Sequence, residues 1–276
     1  MFELPEYTNL SMQINQTLHG KIIRKGTLGN SPHKFVWYNQ THVMFEKLTQ
    51  NTRVKDAYAK GRWLFMSLEP GYVMLIGECG GKMLYHPDAT TLPHKYHLYL
   101  HFTDGSFFTV TTQMWGAIEL YEKGKELSGT YVKDMKITPV DEAFSFDYFC
   151  SLIDTILRKE KKSVKGLLTQ DQLIPGLGNA IAQDILFKAK LHPKHELDSL
   201  DTNQKKSLYN SIKITLYEIT EQRGRYDEYD LFGNPGKYIR LMDRNALKRP
   251  CPVCHGTIKK IQYLGGTCYF CPSCQS

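Results

Sequence analysis

Leu10, Ile14 and Leu18 recur at i, i+4 and i+8, the spacing of a single amphipathic helix near the start of the chain. Past it the period drops to two. Short alternating or apolar runs follow at Lys34–Tyr38, Trp63–Leu68, Tyr72–Ile76, Lys82–Tyr85, Tyr96–Phe102, Phe107–Thr112 and Ala117–Tyr121. Turn signals separate them: Glu-Pro-Gly at 69–71, Gly80-Gly81 and Asp104-Gly105. Six or seven strands at this spacing predict a β-sandwich or barrel-like domain over roughly the first 140 residues.

The pattern changes near Pro139. Residues 147–158 read as a helix with Phe149, Leu152, Ile153, Ile156 and Leu157 on one face. A basic connector, Lys159 to Lys165, leads to an apolar stretch at 164–170. Then comes the turn Ile174-Pro-Gly-Leu-Gly178, and a helix that starts at Asn179 with Ile181, Ile185 and Leu186 inward. A longer helix spans 202–223, and the Gly-, Tyr- and charge-rich stretch to Tyr238 reads as a loop.

The end of the chain carries Cys251-Pro-Val-Cys254, sixteen residues, then Cys271-Pro-Ser-Cys274. Two C-x2-C knuckles of thiolates can close a tetrahedral shell around one structural zinc ion. The intervening Thr257–Phe270 is rich in β-branched and aromatic residues, with Gly265-Gly266 in its middle, so a β-hairpin and hence a zinc ribbon is expected. Cys268 breaks the C-x2-C register and is taken as a packing residue.

Composition adds two points. No apolar run is as long as a membrane span, and the start lacks the basic-then-apolar pattern of a signal peptide, so a cytoplasmic (in a bacterium, nucleoid-associated) address is expected, with free thiols at Cys79 and Cys150. The net charge of +7 is lopsided: residues 1–150 hold 15 Lys+Arg against 15 Asp+Glu, and the remainder 20 against 13. A basic second half suits a polyanion.

The turn before Asn179 suits the same ligand. Its glycines let backbone approach a phosphate closely, a helix N-terminus offers a positive dipole end, and Asn179 is a good N-cap with an amide that can donate to a phosphate oxygen. An ordinary helix corner is the alternative reading of that segment alone.

Gln-Leu-Ile-Pro-Gly-Leu-Gly-Asn, Asp-Ile-Leu-Phe and Leu-His-Pro, within 172–193, resemble the helix-two-turn-helix signature of the formamidopyrimidine-DNA glycosylase/endonuclease VIII family. Glu3-Leu-Pro-Glu6 is similar to the family's N-terminal motif, and the four-cysteine ribbon ends the chain in the family's order. The resemblance implies an α+β chain in three parts: an N-terminal β-sandwich with a flanking helix over 1–138, a helix-two-turn-helix domain over 139–240, and a zinc ribbon over 241–276. It implies a monomer that binds double-stranded DNA with a damaged base or an abasic site. It also implies base excision: an amine attacks the sugar C1′, the base leaves, and elimination cuts the strand.

The motif departs from the family at its nucleophile. Phe2 stands where the family has proline. A bulky second residue disfavours removal of the initiator Met, so the α-amine of Met1 is the amine expected at the start, one residue upstream of the family's. Glu3 keeps the place of the family carboxylate and is expected to move protons or activate water. Arg62 stands at the family's backbone-binding lysine with Lys60 beside it. Gln113-Met-Trp115 matches the loop that fills the gap left by a flipped base, although a strand-end core cluster is the alternative there. His33 and Lys34 are expected to face DNA while Val36 and Trp37 pack. Gly265 falls where the family's ribbon carries arginine, and Lys259 and Lys260 read as a solvated strand face. Residues 223–238 read as a lid over the extruded base, or as a plain surface loop. The DNA-binding set is therefore Gly178, Asn179, Lys34, Lys60, Arg62, Gln113 and Trp115. Three functions follow for test: a glycosylase with altered nucleophile chemistry and unsettled strand cleavage, a non-catalytic binder of damaged or abasic DNA, and an unrelated ribbon protein that binds RNA.

Overall fold

The computed structural model describes residues 1–31, 34–129 and 132–276, so His33 lies outside the described residues. The chain folds as two compact units: residues 1–134 with 219–238, and residues 135–218 with 239–276.

The first unit opens with helix α1, Leu4–Thr17. Tyr7, Leu10 and Ile14 are buried along one face, so the period read from the sequence is the face that packs. Nine strands follow among the described residues. Strands β1 (Ile23–Leu28) and β2 (Val36–Tyr38) precede helix α2 (His42–Thr49). After it come β3 (Arg53–Lys60), β4 (Trp63–Glu69), β5 (Tyr72–Gly77), β6 (Gly81–His86), β7 (Leu98–Phe102), β8 (Phe107–Thr112) and β9 (Gly116–Glu122). They form two sheets, ordered β1-β7-β8-β6 and β2-β9-β5-β4-β3. Inward residues of both sheets, among them Met66, Ile76, Ile118, Leu100 and Phe108, share one core with α1 and Leu231. That is the sandwich with a flanking helix.

Three elements went unread in the sequence, and burial explains each. β1 and β3 are edge strands in which Arg24, Lys25, Arg53, Lys55 and Asp56 are exposed, so their charged faces hide the alternation. In α2 only Phe45 and Thr49 are buried, and Val43 is 81% exposed. Trp37 corrects another expectation. Val36 packs, but Trp37 is 39% exposed, because successive strand residues point to opposite faces.

The second unit holds α3 (Phe146–Leu157), α4 (Val164–Thr169), α5 (Asn179–Lys188) and α6 (Thr202–Glu221), whose last three residues belong to the first unit. Strands β10 (Lys259–Tyr263) and β11 (Gly266–Phe270) pair antiparallel with Tyr263 opposite Gly266. Leu264 and Gly265 form the two-residue turn, both at positive φ. No described helix is long and apolar enough to cross a membrane.

Candidate functional site

In the first unit the site is built around the start of the chain. Phe2 is fully buried, its ring edge-on to Tyr7 at 5.7 Å, and its N–H donates to the Cys79 carbonyl at 2.9 Å. Phe2 is thus a core residue with a committed amide. The Met1 ammonium donates to Glu228 Oε1 at 2.8 Å. Glu3 and Glu6 are 4% and 3% exposed, and Glu3 N–H donates to Glu6 Oε2 at 2.9 Å, which fixes the first turn of α1.

Arg225 organises this group. Its guanidinium donates to Glu6 Oε1 at 2.9 Å and Oε2 at 3.0 Å, and to the Met1 carbonyl at 2.8 Å. It lies 3.6 Å from Glu3 Oε1 and 3.5 Å from Glu228 Oε1. Burial pushes the Glu6 carboxyl up, but the charge and hydrogen bonds of Arg225 outweigh it and hold the group below its ordinary value. One fully buried cation therefore orients the start of the chain and the carboxylate predicted to do chemistry. Sequence reasoning missed Arg225 and Glu228. Their stretch has no hydrophobic period, and its only signal is two charges beside Gly224. In the stretch 223–238, read as a lid or a plain surface loop, Arg225, Leu231 and Tyr238 are buried, while Phe232 is 52% exposed.

Arg62 pairs with Glu78 at 2.9 Å, and its guanidinium also lies 3.7 Å from the Met1 sulfur. Burial raises the Glu78 carboxyl against the opposing pull of Arg62. Lys60 is half-buried one turn residue away, opposite Trp63 in the β3–β4 pair. Gln113, Met114 and Trp115 are all exposed, so they are not a strand-end core cluster. The Gln113 N–H donates to the Gly80 carbonyl, and Gly80 N–H returns to Trp115 O at 3.4 Å, which seats this loop beside the strand that leads from Cys79. Lys34 is exposed, with its ammonium 5.6 Å from the Phe35 ring. Cys79 is buried, and burial pushes its thiol up to about 12.

In the second unit the corner is held by Gln172. Its side chain accepts from Gly176 N–H at 2.9 Å and donates to the Leu177 carbonyl at 3.1 Å. Gly176 has φ +95°, which a side chain would resist. Gly178, not Asn179, is the N-cap of α5, so Asn179 is the first helical residue. A capping role would turn its amide back onto the helix. Here the amide points to the ribbon and donates to the Thr267 carbonyl at 3.3 Å. A Cβ on Gly266 would lie 3.1 Å from Asn179 Oδ1, so a side chain there would crowd this approach. Two further ties went unread: Gln183 accepts from Tyr269 N–H at 2.7 Å, and Lys165, 1% exposed, donates to the Tyr263 carbonyl.

The four predicted ligands, Cys251, Cys254, Cys271 and Cys274, place their sulfurs within 4.8 Å of one another. Cys251 and Cys274 are 3.8 Å apart, and Cys254 and Cys271 3.4 Å. Sulfurs about 2.3 Å from a shared tetrahedral centre would be about 3.8 Å apart, so the donor set fits a metal ion. Cys268 is buried in β11 outside this cluster, and Lys259 and Lys260 are exposed.

A family model described as the formamidopyrimidine-DNA glycosylase N-terminal domain matches residues 1–115, and one described as the formamidopyrimidine-DNA glycosylase H2TH domain matches residues 136–226. Curated relatives run the full length. The formamidopyrimidine-DNA glycosylase of Bacillus cereus (strain ATCC 14579) is 25% identical over 280 residues, covering 100% of this chain and 99% of its own. That of Ureaplasma parvum serovar 3 is 28% identical over 284 residues, covering 100% of both. Among solved structures, Lactococcus lactis Fpg in complex with abasic-site DNA superposes with a TM-score of 0.86 at 23% identity, over 99% of each chain. MutM (Fpg) from Thermus thermophilus gives 0.82 at 23%, over 99% of this chain and 98% of that one. These structural likenesses speak to the fold.

Proposed function

The chain belongs to the formamidopyrimidine-DNA glycosylase/endonuclease VIII family, and on that premise we propose that it is a DNA glycosylase of base excision repair acting on duplex DNA with a damaged, oxidised base. The observation that carries this reading is the buried grouping of Glu3, Arg225 and the start of the chain within one unit.

Glu3 is the proton-transfer residue of the proposal. In one route Glu3 takes a proton from water, the water oxygen bonds to C1′, and the glycosidic electron pair leaves with the base. The abasic strand then stays intact. In the other, the neutral Met1 amine bonds to C1′ as the base leaves and gives up a proton, the C1′–O4′ bond opens with Glu3 protonating O4′, and the Schiff base so formed permits elimination and strand cleavage. In this proposal neither route uses the nitrogen of residue 2, whose N–H donates to the Cys79 carbonyl.

Asn179 and the backbone at Gly178 are proposed to hold phosphate at the positive end of α5. Lys34, Lys60 and Arg62 are proposed to hold the DNA backbone, and Gln113 with Trp115 to occupy the space of the everted base. The four cysteines are proposed to hold one structural zinc ion, which supplies folding energy to the hairpin that Asn179 contacts.

A panel of lesion-bearing duplexes, scored separately for base loss and for backbone cleavage, tests the reading. Borohydride trapping divides the routes: a covalent adduct at Met1 marks the amine, and base loss without an adduct marks water. The burial of Phe2 at the nucleophile position favours one second reading, a non-catalytic binder of damaged or abasic DNA. Tight, salt-sensitive binding of abasic duplex with no base released from any lesion would establish that reading instead.

A further inference from the structure

The exposed apolar side chains of the first unit include one organised group. Phe35, Trp37 and Trp115 are 38%, 39% and 40% exposed, with Met114 beside them at 69%. The two indoles stack with centroids 5.2 Å apart and 16° between planes, and Trp115 packs against Phe35 at 4.7 Å. Strand pairing explains the grouping. β2 runs parallel to β9 with Trp37 opposite Ala117, so residue 37 comes alongside the loop that ends at residue 115. Lys34 adds a cation at the Phe35 end. Aromatic area left open in this way marks a binding surface.

We propose that Trp37, braced by Trp115 and Phe35, is a stacking platform for unpaired nucleobases, and that it makes a single-stranded DNA site in addition to the grip on abasic duplex. The proposal rests on the DNA reading above. Every base has a π-face, so stacking on indole binds a single strand with little regard to sequence, and a lysine at the edge meets its phosphates. An intact duplex keeps its bases stacked on one another and offers Trp37 no free face.

The test uses the full chain with zinc bound, a labelled ten-nucleotide oligo-dT, and a duplex carrying a tetrahydrofuran abasic analogue. Oligo-dT is expected to quench the tryptophan emission. Trp37→Ala is expected to weaken oligo-dT binding about tenfold and to weaken abasic duplex binding, to which the stacked Trp115 contributes, by clearly less than that. Trp37→Phe keeps a ring and is expected to recover most of the loss, which separates stacking from a folding defect. Unchanged oligo-dT affinity in Trp37→Ala, or no quenching in the unaltered chain, overturns the platform. Tighter binding of oligo-U than of oligo-dT overturns it as a DNA site. Trp37-dependent oligo-dT binding by a chain that ignores abasic duplex would leave the platform standing and sink the glycosylase reading.

Discussion

Arg225 grips both carboxylate oxygens of Glu6, at 2.9 and 3.0 Å, across 219 positions of sequence. Both side chains are almost fully buried. A buried bidentate pair adds little net stability over an apolar one, but removing one partner strands a charge. The same guanidinium reaches the Met1 carbonyl, so the pair also sets where the chain begins.

Arg225→Met is therefore expected to lower stability by about 3–5 kcal/mol. Arg225→Lys, which keeps the charge but loses the fork, should fall between it and the unaltered chain. Urea unfolding measures both. Equal stability of all three would mean that the guanidinium does not hold this corner.

Glu6 also predicts an acid limb. Its folded-state pKa is depressed, so its contribution is present above the unfolded carboxylate value of about 4.3 and is lost as pH falls through the folded-state value. Stability should thus be level above about pH 5 and fall below it. Glu6→Gln should be less stable at neutral pH and should lose less on acidification. A parallel pH profile for the variant would remove Glu6 as a source of the limb.

If Glu3 transfers the proton, Glu3→Gln should slow base release by about 10²–10⁴-fold while abasic duplex still binds. Single-turnover assays measure the first and anisotropy the second. Full activity in the variant would end the assignment.

Asn179→Ala should weaken binding by about 1–3 kcal/mol across all lesions, since a phosphate contact carries no base information. Asn179→Asp should be worse, because it sets an anion where the phosphate is expected. An aspartate variant that binds as well as the parent would place the phosphate elsewhere.

Chelation of the metal should unfold the ribbon and abolish DNA binding, with a lowered thermal midpoint. Cys254→Ser should do the same without chelator. Binding that survives metal loss would exclude the ribbon from the interface.

Local patterns carried much of this molecule. The central strands β4, β5 and β8 read directly because Leu64, Met66 and Leu68, Met74 and Ile76, and Phe108 and Val110 alternate into the core. The edge strands β1 and β3 did not, since one charged face is all that a solvated edge requires. Asn179 was legible as a residue of the corner. Its aim was not, because the amide's direction depends on a hairpin 88 residues away.

The sequence by itself determined the four-cysteine cluster, the glycine-bent corner before α5 and the sandwich core, since each follows from spacing within a short window. Only the tertiary structure decided that Arg225 is buried against Glu6, that the Met1 amine meets Glu228, and that Trp37 lies open beside Trp115. Those relationships join residues far apart in the chain. No period encodes such a meeting; it exists only once packing has brought the backbone segments together.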